Sequence, residues 1–312
     1  MSARNYGPLL DALRGVRWPA RGAVGAALPG AHRSRQRGTS GEFTEYRLYR
    51  QGDDPRQLDW KLLARSDRAF VRLTDDRALL PTWFVVDASA SMNFPAFNAA
   101  TELDDRPTKW SVACALTVGL AAVANASGDP VGLIVSGSQG PTRLAARTRR
   151  GTVGEFARTL DRIAVGADTP LAPLLAALPT SARIVVITDM LGDADALVRI
   201  AGQRTAAGGI FECVHVVAVE ELELPRGAHL ARDPEASTAP RAIDAGAHAE
   251  YRARFDAFRE ESARRCRASG AGYVEARTDV VPARMVRQIA AGLGRGAIND
   301  GRSRELWGAG RR

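Results

Sequence analysis

Short apolar runs alternate with helix-forming segments from residue 81 onward, and this alternation limits the possible folds more than any other feature. Runs at 83–87, 131–136, 184–189, 210–219 and 273–276 predict strands, and segments such as 109–126 and 247–268 predict helices between them. Alternating strands and helices predict a mostly parallel central sheet with helices on both faces, an α/β fold in three layers. Right-handed crossovers then bring the carboxyl ends of the strands to one rim, where open α/β sheets bind ligands.

Positive charge is concentrated at the two ends of the chain. Residues 1–40 contain seven Arg and one acid, and residues 294–312 contain five Arg and two acids, whereas the whole chain has a net charge of +8. The body between these ends is therefore nearly neutral, which disfavours nucleic-acid binding through the fold itself. We predict a basic flexible arm at 1–37, with a short helix near 9–13, and a disordered tail at 294–312.

The cysteines and the amino terminus predict a cytoplasmic location. Three widely spaced cysteines form no CxxC motif, which favours buried thiols in a reducing compartment. The first residues lack the apolar core of a signal peptide, and no run reaches the ~20 apolar residues of a membrane span.

Oxygen-bearing side chains follow two of the predicted strands. Asp87, Ser89 and Ser91 come directly after the first strand, Asp189 ends the strand at 184–189, and Thr169 precedes a short helix. Carboxylates and hydroxyls without Cys or His suit Mg²⁺ or another hard cation such as Mn²⁺. In the alternative interpretation, the serines cap the next helix and Asp189 makes turn hydrogen bonds.

These residues resemble the metal-ion-dependent adhesion site of von Willebrand factor type A domains, over roughly residues 82–293. The resemblance rests on Asp87-x-Ser89-x-Ser91, then Thr169, then Asp189, in that order. It implies that Ser89 and Ser91 bind Mg²⁺ directly, Thr169 directly or through water, and both aspartates mainly through water. The sixth position is then open to a Glu or Asp of a partner. Asp168 departs from the family pattern, which usually has a small residue there.

An Arg/Asp/Trp-rich segment resembles the signature of the bacterial "domain of unknown function 58" family. The matching residues are Phe43, Arg47, Tyr49, Gly52, Asp53, Asp54, Arg56, Asp59, Trp60, Ala64 and Arg65. We predict that residues 38–80 pack on the von Willebrand factor A-like domain at 81–293, whose 222–293 part is a carboxyl-terminal elaboration. Arg47, Arg56 and Arg65 are expected to pair with Asp53, Asp54 and Asp59, with Trp60 as an apolar anchor.

The second resemblance implies a non-enzymatic adaptor that works with a MoxR-type AAA+ ATPase in protein maturation or stress tolerance. It would bind an acidic residue of a partner or client through Mg²⁺. The sequence contains no GxxxxGK[ST] motif, so ATP would be used by the partner. The alternative is a metal-dependent hydrolase at the same residues, although none of the four histidines lies beside these motifs.

Overall fold

The computed structural model of the protein describes residues 4–19, 29–33, 42–51, 53, 58–66, 68–75, 77–95, 106–138, 140–166, 169–223, 230–231, 241–242 and 245–292. The predicted tail at 294–312 lies outside these ranges. The strands are β1 Pro29–Arg33, β2 Glu42–Leu48, β3 Phe70–Asp75, β4 Arg77–Ala78, β5 Thr82–Val86, β6 Val131–Gly137, β7 Gly140–Arg147, β8 Arg183–Thr188, β9 Ile210–Val217, β10 Leu230–Ala231, β11 Arg241–Ala242 and β12 Gly272–Arg277. The α-helices are α1 Gly7–Ala12, α2 Trp60–Ser66, α3 Lys109–Ala126, α4 Thr152–Arg162, α5 Leu171–Ala176, α6 Ala194–Ala206, α7 Val219–Leu222, α8 Ala245–Ala268 and α9 Pro282–Ala291.

A six-stranded sheet forms the centre of the described structure, in the order β12-β9-β8-β5-β6-β7. Five of its strands are parallel, and β7 pairs with β6 as an antiparallel edge strand. Every residue of β5 is buried, as expected for a strand with neighbours on both sides and helices above and below. The predicted α/β fold with a mostly parallel sheet is confirmed.

The two faces of the sheet contact two different sets of helices. Phe84 and Val86 of β5 join a core formed with α3, α4 and α9, whereas Trp83 and Val85 join a second core formed with α5, α6 and α8. This division follows from strand geometry, because successive side chains point to opposite faces. The result is the predicted arrangement of three layers.

Helix α3 lies against the centre of the sheet. Among the described residues it is the only helix long and apolar enough to cross a membrane by length and composition, and 72% of it is buried inside the domain. Its small residues allow close packing: a Cβ at Gly119 would lie 2.9 Å from Val286 and 3.1 Å from Leu13. Helix α3 therefore has the surroundings of a core helix.

The amino-terminal segment packs against the domain, and the prediction of a flexible arm over 1–37 is wrong for residues 4–19. Arg4 forms an ion pair with Asp161 at 3.1 Å. The buried guanidinium of Arg183 donates to the carbonyl oxygen of Trp18 at 3.1 Å and lies 4.2 Å from its ring centroid. The buried apolar residues of this segment are Tyr6, Leu13 and Trp18, and Leu9, Leu10 and Val16 pack partly buried against the same core. The helical spacing of these residues extends over a helix of only six residues, which is too short to predict docking from the sequence.

In the Arg/Asp/Trp-rich segment, one predicted ion pair is confirmed and the predicted role of Trp60 is wrong. Arg47 binds Asp53 at 2.8 Å, whereas Asp59 accepts hydrogen bonds from the backbone N–H groups of Lys61 and Leu62 and so caps α2. The side chain of Trp60 is 64% exposed, so it is not an apolar anchor. Asp54 and Arg56 lie outside the described residues. The packing of the whole segment on the domain stays a prediction.

Candidate metal centre and partner-binding site

The carboxyl ends of three neighbouring strands bring acidic residues to one rim of the sheet. Asp87 follows β5, Asp189 follows β8, and Glu220 and Glu221 lie in the short helix after β9. Strands β5, β8 and β9 are adjacent and parallel, so their carboxyl ends lie side by side. The backbone N–H of Asp87 also donates to the carbonyl oxygen of Ile187 at 2.9 Å, which continues the strand pairing as far as the site.

Asp87 accepts hydrogen bonds on both of its carboxylate oxygens. The backbone N–H of Ser89 donates to Oδ1 at 2.9 Å, and the hydroxyl of Thr188 donates to Oδ2 at 2.7 Å. Burial raises the pKa of Asp87, the Thr188 hydrogen bond opposes this shift, and repulsion from Asp189 adds to it. The negative charge of Asp87 is therefore oriented but has no bonded cation among the described residues.

Ser89 and Ser91 place their hydroxyl oxygens together beside the aspartates. A 3₁₀ turn at Ala90–Asn93 follows Ser89, and the two Oγ atoms lie 3.1 Å apart. Ser89 makes no side-chain capping bond to this turn, so the capping interpretation does not hold for Ser89. The hydroxyl of Ser91 instead hydrogen-bonds to Asp189. Ser91 is buried and Ser89 is partly exposed, so Ser89 lies on the solvent side of the pair.

The two carboxylate oxygens of Asp189 accept hydrogen bonds from different groups, one in a turn and one on a lysine. The backbone N–H of Leu191 donates to Oδ1 at 3.1 Å, as the alternative interpretation expected, and the ammonium of Lys109 donates to Oδ2 at 2.7 Å. Burial alone would raise the pKa of Asp189, but Lys109 and the hydrogen bonds outweigh it and lower that pKa. Met190 has a φ of 62°, an uncommon left-handed conformation for a residue with a side chain. Such backbone strain is typical of functional sites.

Lys109 also binds a third carboxylate at the site. Its Nζ lies 2.9 Å from Oε1 of Glu221, and its side chain is only 1% exposed. Burial works against the charged ammonium, but Asp189 and Glu221 outweigh it and raise the pKa of Lys109. For Glu221, burial dominates over Lys109 and raises the pKa of its carboxyl group.

The chain shortly before Thr169 contacts the turn that carries Asp87 and Ser89. The backbone N–H of Gly166 donates to the carbonyl oxygen of Ala88 at 2.8 Å, directly between Asp87 and Ser89. Thr169 is partly exposed, and within the described ranges no hydrogen bond joins it to the other four predicted residues. Asp168 lies outside the described residues. The structure thus connects Asp87, Ser89, Ser91 and Asp189 directly, and the role of Thr169 stays a prediction.

Several residues of the site were not predicted from the sequence. They are Lys109 and Glu221, which pair with each other, Thr188, which binds Asp87, and Ser136, whose Oγ accepts from the backbone N–H of Ala88 at 2.8 Å. The sequence contains one signal for Lys109. It is one of only two lysines in the chain, and it stands at the start of a helix, where the helix dipole disfavours a cation.

The donor atoms fit a small divalent cation. Two oxygens bound at right angles to Mg²⁺, each at 2.0–2.1 Å, lie about 3 Å apart, close to the 3.1 Å between the two serine oxygens. The hydroxyl of Ser91 is the donor in its hydrogen bond to the Asp189 carboxylate, and a hydroxyl that donates in this way keeps lone pairs for Ser89 or for a cation. Among the described residues, no group of three or more His, Cys, Asp or Glu side chains is placed to hold a metal ion. Any ion here would therefore depend on the hydroxyls.

Comparison with known proteins gives a family and two sets of relatives. The model of a family described as "Protein of unknown function DUF58" matches residues 45–265. Uncharacterized protein Rv1480 of Mycobacterium tuberculosis is 29% identical over 280 residues, which cover 87% of this chain and 85% of that protein. Uncharacterized protein Mb1516 of Mycobacterium bovis matches to the same extent.

Solved structures of low sequence identity also align with this chain. The conserved hypothetical protein BatB from Bacteroides thetaiotaomicron aligns with 17% identity and a TM-score of 0.41, over 69% of this chain and 97% of BatB. The SpRpn10 VWA domain aligns with 14% identity and a TM-score of 0.40, over 71% of this chain and 100% of that domain. Both likenesses concern the fold alone.

Proposed function

This chain belongs to the DUF58 family, and from that premise we propose that it is a non-enzymatic protein-binding module that captures an acidic side chain of a partner. The binding surface is the rim at the carboxyl ends of β5 and β8. The observation that carries this proposal is the hydrogen-bonded cluster of Asp87, Ser89, Ser91 and Asp189 at that rim.

An acidic partner requires a cation beside the serine hydroxyls, and the lysine that binds Asp189 and Glu221 there is buried. Asp87, Asp189 and Glu221 with Lys109 carry a formal charge of −2 when all four are ionised. Lys109 is the cation bonded within this group, and its side chain is 1% exposed, so a partner carboxylate would meet negative charge first. A divalent cation brings the formal charge of this group to zero and places a positive charge beside the hydroxyls, where a carboxylate can bind it.

The resemblance to metal-ion-dependent adhesion sites implies which residues would hold such a cation. Ser89 and Ser91 would bind Mg²⁺ or Mn²⁺ directly, with Thr169 as a third hydroxyl, while Asp87 and Asp189 would act from the outer shell. Neutral hydroxyls leave a bound Mg²⁺ electron-poor, which is the chemistry that attracts a carboxylate.

The surrounding residues hold these donors in fixed positions. Thr188 and the backbone N–H of Ser89 orient Asp87, and Ser136 fixes the backbone between them by binding the N–H of Ala88. Such support lowers the cost of ordering the site when a ligand binds.

The proposed partner is an AAA+ ATPase of the MoxR type, together with an acidic residue of a client protein. The support for this partner is the family resemblance of the Arg/Asp/Trp-rich segment. In this scheme the present protein supplies binding, and the ATPase supplies ATP-driven remodelling.

The proposal is tested by metal binding and by partner capture with the same variants. Mn²⁺ and Mg²⁺ should raise the melting temperature of the wild type, with a stabilisation of about 2.7 kcal/mol at a hundredfold excess over Kd. Ser89→Ala and Asp87→Asn should remove this stabilisation and the metal-dependent pulldown of a purified MoxR-type ATPase. Ser127→Ala is the control, because Ser127 lies at the far end of α3.

Two results would count against the proposal. One is a wild type whose melting curve is unchanged at millimolar metal. The other is turnover of a phosphoester or peptide substrate that Ser89→Ala abolishes, which would identify a hydrolase instead.

A further inference from the structure

Lys109 brings an ammonium group into the interior of the candidate site. It is the first residue of α3, and the backbone N–H of Lys109 donates to the carbonyl oxygen of Phe94 at 2.9 Å. Its side chain reaches Asp189 after β8 at 2.7 Å and Glu221 in α7 at 2.9 Å. Three separate elements therefore meet at one nitrogen atom.

Helix stability does not account for this lysine. A cation at a helix N-terminus is disfavoured by the helix dipole, and burying an ammonium costs several kcal/mol before any pairing. An apolar residue at position 109 would avoid both of these costs and would extend the core around Trp110. The buried ammonium is compensated by two carboxylates at the rim and by the ring of Phe94, whose centroid lies 5.8 Å from Nζ.

Asp189 is the residue that Lys109 and the proposed metal site have in common. Lys109 binds Oδ2 of Asp189, while Ser91, a proposed direct ligand, hydrogen-bonds to the same carboxylate. The negative charge that Asp189 offers to a cation near Ser91 is thus already partly compensated from inside the protein. Charge–charge energies at such distances are large enough to change binding constants by orders of magnitude.

We infer that Lys109 is a tethered cation that competes for Asp189 and keeps the affinity of the site for divalent cations low. This inference rests on the proposed function, because it concerns the same site. If the protein alone binds the ion weakly, stable coordination of the ion depends more on a carboxylate from the partner. The described structure also contains a matched pair of neighbours, since Glu221 binds Lys109 whereas Glu220 binds Arg106 at 3.2 Å.

The test measures Mn²⁺ binding to the full chain by calorimetry and by electron paramagnetic resonance of the free ion. Lys109→Met should lower the Kd for Mn²⁺ about tenfold or more, because a positive charge that binds Asp189 has been removed. Lys61→Met is the control and should leave Kd unchanged, since Lys61, the other lysine of the chain, is exposed. A Kd for Lys109→Met within about threefold of the wild type would overturn the inference.

A second pair of variants covers the case in which Lys109→Met does not fold. Glu221→Gln leaves the ammonium with Asp189 alone and should weaken Mn²⁺ binding more than Glu220→Gln does. Equal effects of these two variants would also overturn the inference.

The results separate this inference from the proposed function. If the wild type binds Mn²⁺ and neither Lys109→Met nor Glu221→Gln changes Kd, the function stands and the inference fails. If only Lys109→Met binds Mn²⁺, and adding Ser89→Ala abolishes that binding, the inference holds and metal-dependent capture by the wild type fails. If none of the proteins binds Mn²⁺, both fail.

Discussion

Replacing Lys109 by Met tests whether the buried charge cluster holds the rim of the sheet together. Methionine has nearly the volume of lysine and no charge, so the packing beside Phe94, whose ring centroid is 5.8 Å from Nζ, is largely kept. What changes is that Asp189 and Glu221 lose the ammonium group that lies 2.7 and 2.9 Å from their oxygens. Both carboxylates then lie buried next to each other without a cation.

The expected loss in unfolding free energy without metal is about 3–5 kcal/mol, the range for removing one member of a buried ion pair. For a domain of this size the melting temperature should fall by about 6–10 °C, at roughly 2 °C per kcal/mol. Urea unfolding followed by circular dichroism gives the free energy directly, provided that the slope of the transition is unchanged. Lys61→Met, which replaces an exposed lysine, should change stability by less than about 0.5 kcal/mol.

The pH dependence gives an independent check of the same variant. In the wild type, the stability that the raised pKa of Lys109 contributes is fully present below pH 10.5. The stability that the lowered pKa of Asp189 contributes is fully present above pH 3.8. The wild-type pair is therefore intact at all moderate pH values. In Lys109→Met, burial without a cation raises the pKa of both carboxyl groups, so protonation relieves the repulsion. The stability difference should shrink as the pH falls from about 8 to about 5.

A stability loss below about 1 kcal/mol, or a difference that grows on acidification, would contradict a buried charge cluster held together by Lys109. Either result would mean that water reaches the cluster and screens its charges. If Lys109→Met is unfolded at all pH values, Glu221→Gln would be measured in its place, because it keeps the ammonium of Lys109 paired with Asp189.

Three further predictions concern the fold around the site. Gly132→Ala should cost about 1–3 kcal/mol in urea unfolding, because its Cβ would lie 2.6 Å from the ring of Trp83, whereas Gly192→Ala, with nothing within 4 Å, should be neutral. His215, whose pKa burial lowers to about 4, should stay neutral on NMR titration down to about pH 5. Because the unfolded chain binds this proton near pH 6.5, about 3 kcal/mol of stability should be lost as the pH falls from 6.5 to 4, and His215→Gln should flatten that part of the profile. Arg204→Met should lower unfolding free energy by about 2–4 kcal/mol, since its guanidinium donates to four carbonyl oxygens at the end of α5 and in the following turn.

Much of the fold was predictable because strands and helices leave local patterns in the sequence. The apolar run that became β5 and the helix at Lys109–Ala126 follow from hydrophobic periodicity and length. The pairing of β7 with β6 is that of two strands close together in the chain. The docking of residues 4–19 was missed, since the helical spacing around Leu13 is short and both Leu13 and Trp18 make their contacts far along the chain. The exposure of Trp60 was missed because an aromatic residue in a charged segment is more often an anchor.

Asp87 and Asp189 could be placed at the same rim of the sheet from the sequence. Asp87 and Asp189 each follow a buried strand, and parallel strands carry their carboxyl ends to the same side, so their meeting follows from local pattern and crossover handedness. Only the tertiary structure decided which charges surround them. Lys109 is separated from Asp189 by 80 positions and from Glu221 by 112, and their contact depends on the order of β5, β8 and β9 and on where α3 begins above them. Strand and helix patterns repeat along the chain and can be read locally, whereas a single ammonium between two carboxylates depends on the placement of three elements in space.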